Sequence, residues 1–96
     1  MIERINKNEE RLDSILSSIK NLDNALDNFK SNKNNLRLVN NYYGSKNWFN
    51  DKDNYELGNI KPVKAGVLSE DTVWNMNDDI NDLLDKMENI IKEFRK

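Results

Sequence analysis

The sequence predicts an all-α protein: an antiparallel helical hairpin of two long amphipathic helices, joined by an irregular connector that carries a short helix. Three observations support this fold class. Apolar residues recur at spacings of three and four along both ends of the chain. A Ser-Glu-Asp sequence typical of a helix start precedes the second series. All glycines, tyrosines and tryptophans and the only proline lie within residues 42–74, which indicates one irregular segment between two helices.

The first helix is predicted over residues 2–43. Two series of residues seven apart define its apolar face: Ile5, Leu12, Ile19 and Leu26, and Ile15, Leu22, Phe29, Leu36 and Tyr43. Residues 31–35 form helices poorly, and Lys33 and Asn40 occupy core positions of the pattern. Because the register continues across this stretch, one helix bent there is favoured, and a break within 31–35 is the alternative. Gly44 is placed to end the helix.

The last helix is predicted over residues 70–95, after a connector of residues 44–68. Ser69 occupies the N-cap position, and Glu70 and Asp71 lie in the first turn, where negative charge interacts favourably with the helix dipole. Leu68 and Val73 are spaced as a hydrophobic staple. The apolar face continues through Met76, Ile80, Leu83, Met87, Ile90 and Phe94.

Aromatic residues are concentrated in and beside the connector. Ser45 can cap a short helix, which would bring Trp48 back over the bundle to form a buried cluster with Tyr43 and Trp74. In a second interpretation, some of these rings form a patch that binds a partner, since Tyr and Trp are favoured interface anchors. The residues of this candidate interaction patch are Tyr42, Tyr43, Trp48, Tyr55 and Trp74. Tyr42, which lies outside the heptad register, is expected to be the more exposed tyrosine of the first pair.

Two motifs in the middle of the chain carry a resemblance to a known family. They are Tyr42-Tyr43-Gly44-Ser45 (the YYGS motif) and, about twenty residues later, Gly66-Val67-Leu68-Ser69-Glu70-Asp71 (the GVLSED motif). With a helix on each side, they resemble the small bacterial family known as domain of unknown function 4298, over roughly residues 36–90. Ala65 departs from the family pattern, where a basic residue is expected. The resemblance implies a compact helical protein of bacterial origin, and no activity, substrate or catalytic residue.

Composition excludes several classes of function. The net charge of −2 comes from interspersed acidic and basic residues, whereas a nucleic-acid surface requires clustered Lys and Arg. No apolar run is long enough to span a membrane. The chain has no cysteine, which fits a reducing compartment. We therefore expect one cytoplasmic domain, residues 1–96, that binds neither nucleic acid nor membrane.

The residue types of the common catalytic and metal sites are missing. Without histidine or cysteine there is no zinc site of the usual kind and no Cys–His nucleophile pair. Asp51 and Asp53 resemble the start of a calcium loop, but Glu56 stands where that loop requires glycine. No catalytic residue, metal site or cofactor is therefore expected.

These observations favour a non-enzymatic helical module for protein–protein interaction. The first helix outruns the last, which leaves Ile2 and Ile5 without cover. A homo-oligomer, a dimer, is one solution, and a break that folds residues 36–43 back on the bundle is the other. An unidentified protein partner is a further expectation that the sequence does not separate from this one. The alternative is a small-ligand-binding protein or a carboxylate-based enzyme with a concave site at the connector. Its residues would be Trp48, Trp74, Asp51, Asp53 and Glu70, with Tyr42 in the wall.

Overall fold

The computed structural model describes residues 1–96, and every regular element in it is helical. The four α-helices are α1 (Ile2–Ser31), α2 (Lys33–Tyr42), α3 (Lys46–Glu56) and α4 (Glu70–Phe94), and a 3₁₀ turn covers Gly66–Leu68. Helix accounts for 82% of the chain, and there is no strand. The all-α fold class is confirmed. The element order, with two long helical segments separated by a connector that carries a short helix, is consistent with a helical hairpin.

The chain divides into two compact units. The first, Met1–Arg37, contains α1 and the start of α2, and the second, Leu38–Lys96, contains the rest of α2 together with α3 and α4. The organisation of residues 1–96 as one domain stays a prediction.

The helical segment at the start of the chain is interrupted at Asn32. Its backbone has φ −89° and ψ 1°, and its N–H donates to the Phe29 carbonyl at 3.1 Å, a bond of the 3₁₀ type. The side chains of Ser31 and Asn32 both donate to the Asn28 carbonyl, at 2.6 and 3.2 Å. Short polar side chains compete in this way with helical backbone bonds. Helix resumes at Lys33, so the first helical segment is long and bent at Asn32, inside the 31–35 stretch where the sequence favours a bend.

The apolar face of α1 is exposed. Neither α1 nor α2 contains a buried residue. Seven residues at a and d positions of the heptad pattern form what we call the α1 seam, and each is between 40% and 59% exposed. They are Ile5, Leu12, Ile15, Ile19, Leu22, Leu26 and Phe29. Exposed large apolar residues are also found on α4, at Leu83, Leu84, Ile90, Ile91 and Phe94.

The boundaries of α3 are encoded by adjacent residues. Ser45 accepts a hydrogen bond from the Trp48 N–H at 3.2 Å, which makes it the N-cap. At the other end, Gly58 has φ +74° and donates to Tyr55 O, while Asn59 N donates to Asn54 O. These two bonds are those of a Schellman motif, which places its left-handed residue where glycine carries no steric penalty.

The start of α4 follows the same logic. The side chain of Ser69 accepts from the Thr72 N–H at 3.4 Å, and Glu70 and Asp71 lie in the first turn. Val73, one turn into the helix, is 3% exposed, and Leu68 just before the N-cap is 8% exposed. Together with Trp48 they are the buried hydrophobic residues of the chain. The core therefore lies where α3 meets the start of α4.

Candidate functional site

Trp48 is the buried centre of an aromatic cluster in the second unit. It is 1% exposed, and its ring is contacted edge-on by Tyr43 and Phe49, with centroids 5.1 and 4.9 Å away. The Nζ atom of Lys52, one turn further along α3, lies 5.0 Å from the ring centroid, in the geometry of a cation–π interaction. We call these four residues the Trp48 cluster. It fixes α3 against the residue that follows α2.

The indole of Trp48 also connects α3 to the GVLSED motif. Its Nε1–H donates to the carbonyl of Val67 at 2.9 Å. A buried indole N–H requires such a partner, and here the partner is the backbone of the 3₁₀ turn just ahead of α4. Leu68, the residue after this carbonyl, is buried. The bond from the Trp48 side chain therefore positions the turn that leads into α4.

Tyr42 provides a second connection between α2 and α3. Its hydroxyl donates to Oδ2 of Asp51 at 2.6 Å, and both residues are half-buried. This hydrogen bond raises the pKa of Tyr42 above 10.0, and burial and the negative charge of Asp51 act in the same direction. The phenol is therefore held in its protonated, donating form.

Each residue of the YYGS motif has a structural role in this arrangement. Tyr42 donates to Asp51, and Tyr43 packs against Trp48. Gly44 has φ +74° in the turn closed by the bond from Ser45 N to Tyr42 O, a backbone conformation that favours glycine. Ser45 then caps α3. These contacts account for the YYGS motif as the corner between α2 and α3, and they involve no ligand.

An open cleft lies beside the start of α4. Its volume is about 400 Å³, and its walls are Lys52, Tyr55, Glu56, Ala65, Leu68, Ser69, Glu70 and Asp71. Within it, Lys52 Nζ lies 3.6 Å from Glu70 Oε1, and the Glu70 side chain is 64% exposed. An ion pair this exposed to solvent contributes little to stability. The cleft thus has one cation whose charge is already opposed by a neighbouring carboxylate.

The residues of the candidate interaction patch differ in how exposed they are to solvent. Trp48 is 1% exposed, which agrees with the buried cluster of the first interpretation and leaves almost none of its surface for a partner. Tyr42 and Tyr43 are both half-buried, so the expectation that Tyr42 is the more exposed of the two stays a prediction. Tyr55 and Trp74 are exposed, at 40% and 63%. Trp74 was expected in the buried cluster, but it follows Val73 by one residue, about 100° around the helix, and faces solvent.

The residues of the alternative ligand site are not brought together. Of Trp48, Trp74, Asp51, Asp53 and Glu70, only Glu70 lines the cleft. Trp48 is buried in its cluster and Asp51 accepts from Tyr42, while Asp53 and Trp74 are exposed outside the cleft walls. These five residues therefore do not form one concave site, and the walls of the cleft consist mostly of other residues.

Two interactions in the second unit are not predicted by the sequence analysis. Lys52 lies four residues after Trp48, the spacing at which helical side chains meet, and this signal could have identified it. Asn40 and Asn77 form a reciprocal pair of amide hydrogen bonds of 3.1 and 2.9 Å between α2 and α4. Asn40 occupies a core position of the heptad pattern, and a polar residue there is itself a signal that it has a hydrogen-bonding partner.

The acidic residues form no group of three or more that could hold a metal ion. Neither α1 nor α4, the two longest helices, combines the length and apolar character that crossing a bilayer would require.

The fold and this site define a class: an all-α protein whose two motifs build a tryptophan-centred corner between helices. The chain belongs to the family described as Domain of unknown function (DUF4298), whose model matches residues 5–90. The family resemblance of the YYGS and GVLSED motifs is thereby confirmed. No curated protein and no solved structure matches the chain.

Proposed function

We propose that this protein is a non-enzymatic helical module for protein–protein interaction, and that it associates with a second copy of itself through the α1 seam. The observation that carries the proposal is the exposure of all seven seam residues, none of which is less than 40% exposed. Monomeric proteins rarely leave so long an apolar stripe in contact with water. A stripe of period three and four is complementary to another helix of the same kind.

Helix lengths support a partner outside the chain. α1 and α2 comprise 30 and 10 residues, whereas α4 comprises 25, so the first helical segment exceeds the last by 15 residues. Even a full pairing of α4 along it would leave about four helical turns without an α4 residue beside them. The second unit has its own core at Trp48, Leu68 and Val73, which does not involve the seam.

The proposal includes a cytoplasmic location in a bacterium. It is supported by the absence of cysteine, which fits a reducing compartment, and by the bacterial origin that the family resemblance implies. A protein partner other than a second copy would use the same seam.

The alternative, a ligand-binding protein or carboxylate-based enzyme at the connector, has weaker support. The cleft contains Glu70, but Lys52 lies within 4 Å of that carboxylate and is the nearest complement for its charge. The remaining acids of the expected site lie elsewhere. The exposed seam therefore favours interaction over ligand chemistry.

Sedimentation equilibrium at micromolar concentrations tests the proposal. The chain should sediment as a species approaching twice its mass of 11.3 kDa. Ile19→Glu places a charge in the seam, at a residue that is 59% exposed, and should shift the chain to monomer. Ser17→Glu is the matched control, because it adds the same side chain two residues away on the face opposite the seam and should leave the dimer intact.

A mass near 11.3 kDa at every concentration would contradict the proposal. Equal loss of the dimer in both variants would also contradict it, because the seam would then not be the contacting face.

A further inference from the structure

We infer that two copies of α1 pair as a parallel coiled coil in register, with Arg4 of each copy beside Glu9 of the other. This rests on the proposed function and specifies the orientation and register of the partner. The seam runs from Ile5 to Phe29, which is three and a half heptads and long enough for a coiled coil. In heptad notation Ile5, Leu12, Ile19 and Leu26 are a positions, and Ile15, Leu22 and Phe29 are d positions.

Asn8 is the polar residue within the seam, at the d position one heptad before Ile15. Its amide makes two bonds within α1: Nδ2 donates to Arg4 O at 2.8 Å, and Oδ1 accepts from Arg11 Nη1 at 3.2 Å. One N–H and one acceptor site remain free. In a parallel pair in register, d positions face each other, so Asn8 meets Asn8 of the second copy and the two amides can satisfy these groups.

An antiparallel pair treats Asn8 differently. If the two α1 helices overlapped along their full length in opposite directions, a positions would face d positions and Asn8 would lie opposite Leu26 of the second copy. The remaining amide groups would then be covered by a side chain that can neither donate nor accept, and burying an unpaired polar group is costly. Asn8 therefore favours the parallel arrangement.

The charges beside the seam complement a parallel second copy. Arg4 is a g position and Glu9 is the following e position, and in parallel coiled coils g and the next e′ lie close together. Neither residue makes an ion pair within the chain, and neither has an opposite charge three or four residues away on α1. The next such pairs, Arg11 with Leu16, Ser18 with Asp23 and Ala25 with Lys30, contain no like charges.

The antiparallel arrangement would pair Glu9 with Lys30 of the second copy, since e positions then face each other. This difference allows a charge-reversal experiment in which one substitution weakens both arrangements and two different second substitutions separate them. Glu9→Lys should raise the dimer dissociation constant about tenfold, because it turns two attractive contacts into repulsive ones. Glu10→Lys is the matched control: it makes the same change at the neighbouring residue, on the outer face of α1, and should leave the dissociation constant unchanged.

Adding Arg4→Glu to Glu9→Lys restores opposite charges in the parallel pair and should return the dissociation constant to that of the unchanged protein. Adding Lys30→Glu to Glu9→Lys should not. Rescue by Lys30→Glu and not by Arg4→Glu would overturn the inference in favour of an antiparallel pair. A dimer whose dissociation constant does not respond to Glu9→Lys would also overturn it, while leaving the proposed function standing. A chain that is monomeric without any substitution overturns the proposed function itself.

Discussion

At the scale of single residues, Tyr42 shows how one hydrogen bond can make the stability of the fold depend on pH. Its bond to Asp51 raises the pKa of the phenol above 10.0 in the folded chain, whereas the unfolded chain lacks this bond. A pKa that is higher in the folded state stabilises the fold below the unfolded pKa, and this contribution is lost as pH rises through the higher, folded pKa. Tyr42 therefore contributes stability at neutral pH that disappears in strongly alkaline solution.

Tyr42→Phe should lower the free energy of unfolding at neutral pH by roughly 1 kcal/mol, the scale of one hydrogen bond to a carboxylate that is partly open to solvent. The difference from the unchanged protein should shrink above pH about 10, where the unchanged protein loses the same bond. Urea unfolding followed by circular dichroism at neutral and alkaline pH measures both effects. Tyr55→Phe, whose hydroxyl makes no hydrogen bond, is the control. Identical pH profiles for Tyr42→Phe and the unchanged protein would contradict this account.

Replacing Trp48 and replacing Trp74 should lower the free energy of unfolding by very different amounts. Trp48→Ala removes a side chain that is 1% exposed and should cost about 3 kcal/mol of unfolding free energy, the usual scale for a buried aromatic. Trp74→Ala removes one that is 63% exposed and should cost less than about 0.5 kcal/mol. The measurement is urea unfolding at one protein concentration, because association would otherwise change the apparent stability.

Fluorescence of single-tryptophan variants provides an independent test. With Trp74 replaced by phenylalanine, the emission of Trp48 should lie at the shorter wavelengths of a buried indole. An emission typical of a water-exposed indole would contradict the buried cluster, and Trp48 would return to the candidate interaction patch.

At the scale of elements, local sequence determines where α3 and α4 begin. Ser45 and Ser69 each accept from a backbone N–H three residues later, at 3.2 and 3.4 Å. Ser45→Ala and Ser69→Ala should each cost about 1 kcal/mol of unfolding free energy through loss of an N-cap. Ser17→Ala, in the middle of α1, is the control and should be neutral or slightly stabilising. If Ser69→Ala left stability unchanged but abolished association, the GVLSED motif would be a binding element instead of a helix start.

The same elements show which features could be predicted. The caps and the Gly44 turn depend on four or five adjacent residues, so the sequence was sufficient to predict them. The bond between Tyr42 and Asp51 depends on how α2 and α3 are rotated relative to each other about Gly44, and no periodicity within one helix encodes that rotation. The bend within 31–35 is predicted by the poor helix formers there, but its position at Asn32 depends on side chains that compete for backbone carbonyls, which the apolar register does not report.

At the scale of the whole molecule, the two units differ in what holds them folded. The second unit has a buried tryptophan with a satisfied indole N–H, whereas α1 in the first unit has no buried residue at all. In proteins most of the stability of a helix comes from packing of its apolar face and not from the helix propensity of its residues, so α1 needs a surface against which that face can pack. In the proposed dimer, that packing is supplied by the second copy and depends on protein concentration.

The rates of amide hydrogen exchange should therefore respond differently to protein concentration in the two units. Exchange in α1 should be fast at concentrations below the dimer dissociation constant and slow above it, whereas the protected amides of α3 and of the first turns of α4 should exchange at the same rate in both conditions. Ile19→Glu should keep α1 in its fast-exchanging state at high concentration, and Ser17→Glu should not. Protection of α1 that is equally strong at all concentrations would mean that the helix is stabilised within one chain, and the α1 seam would then not be the surface through which two copies associate.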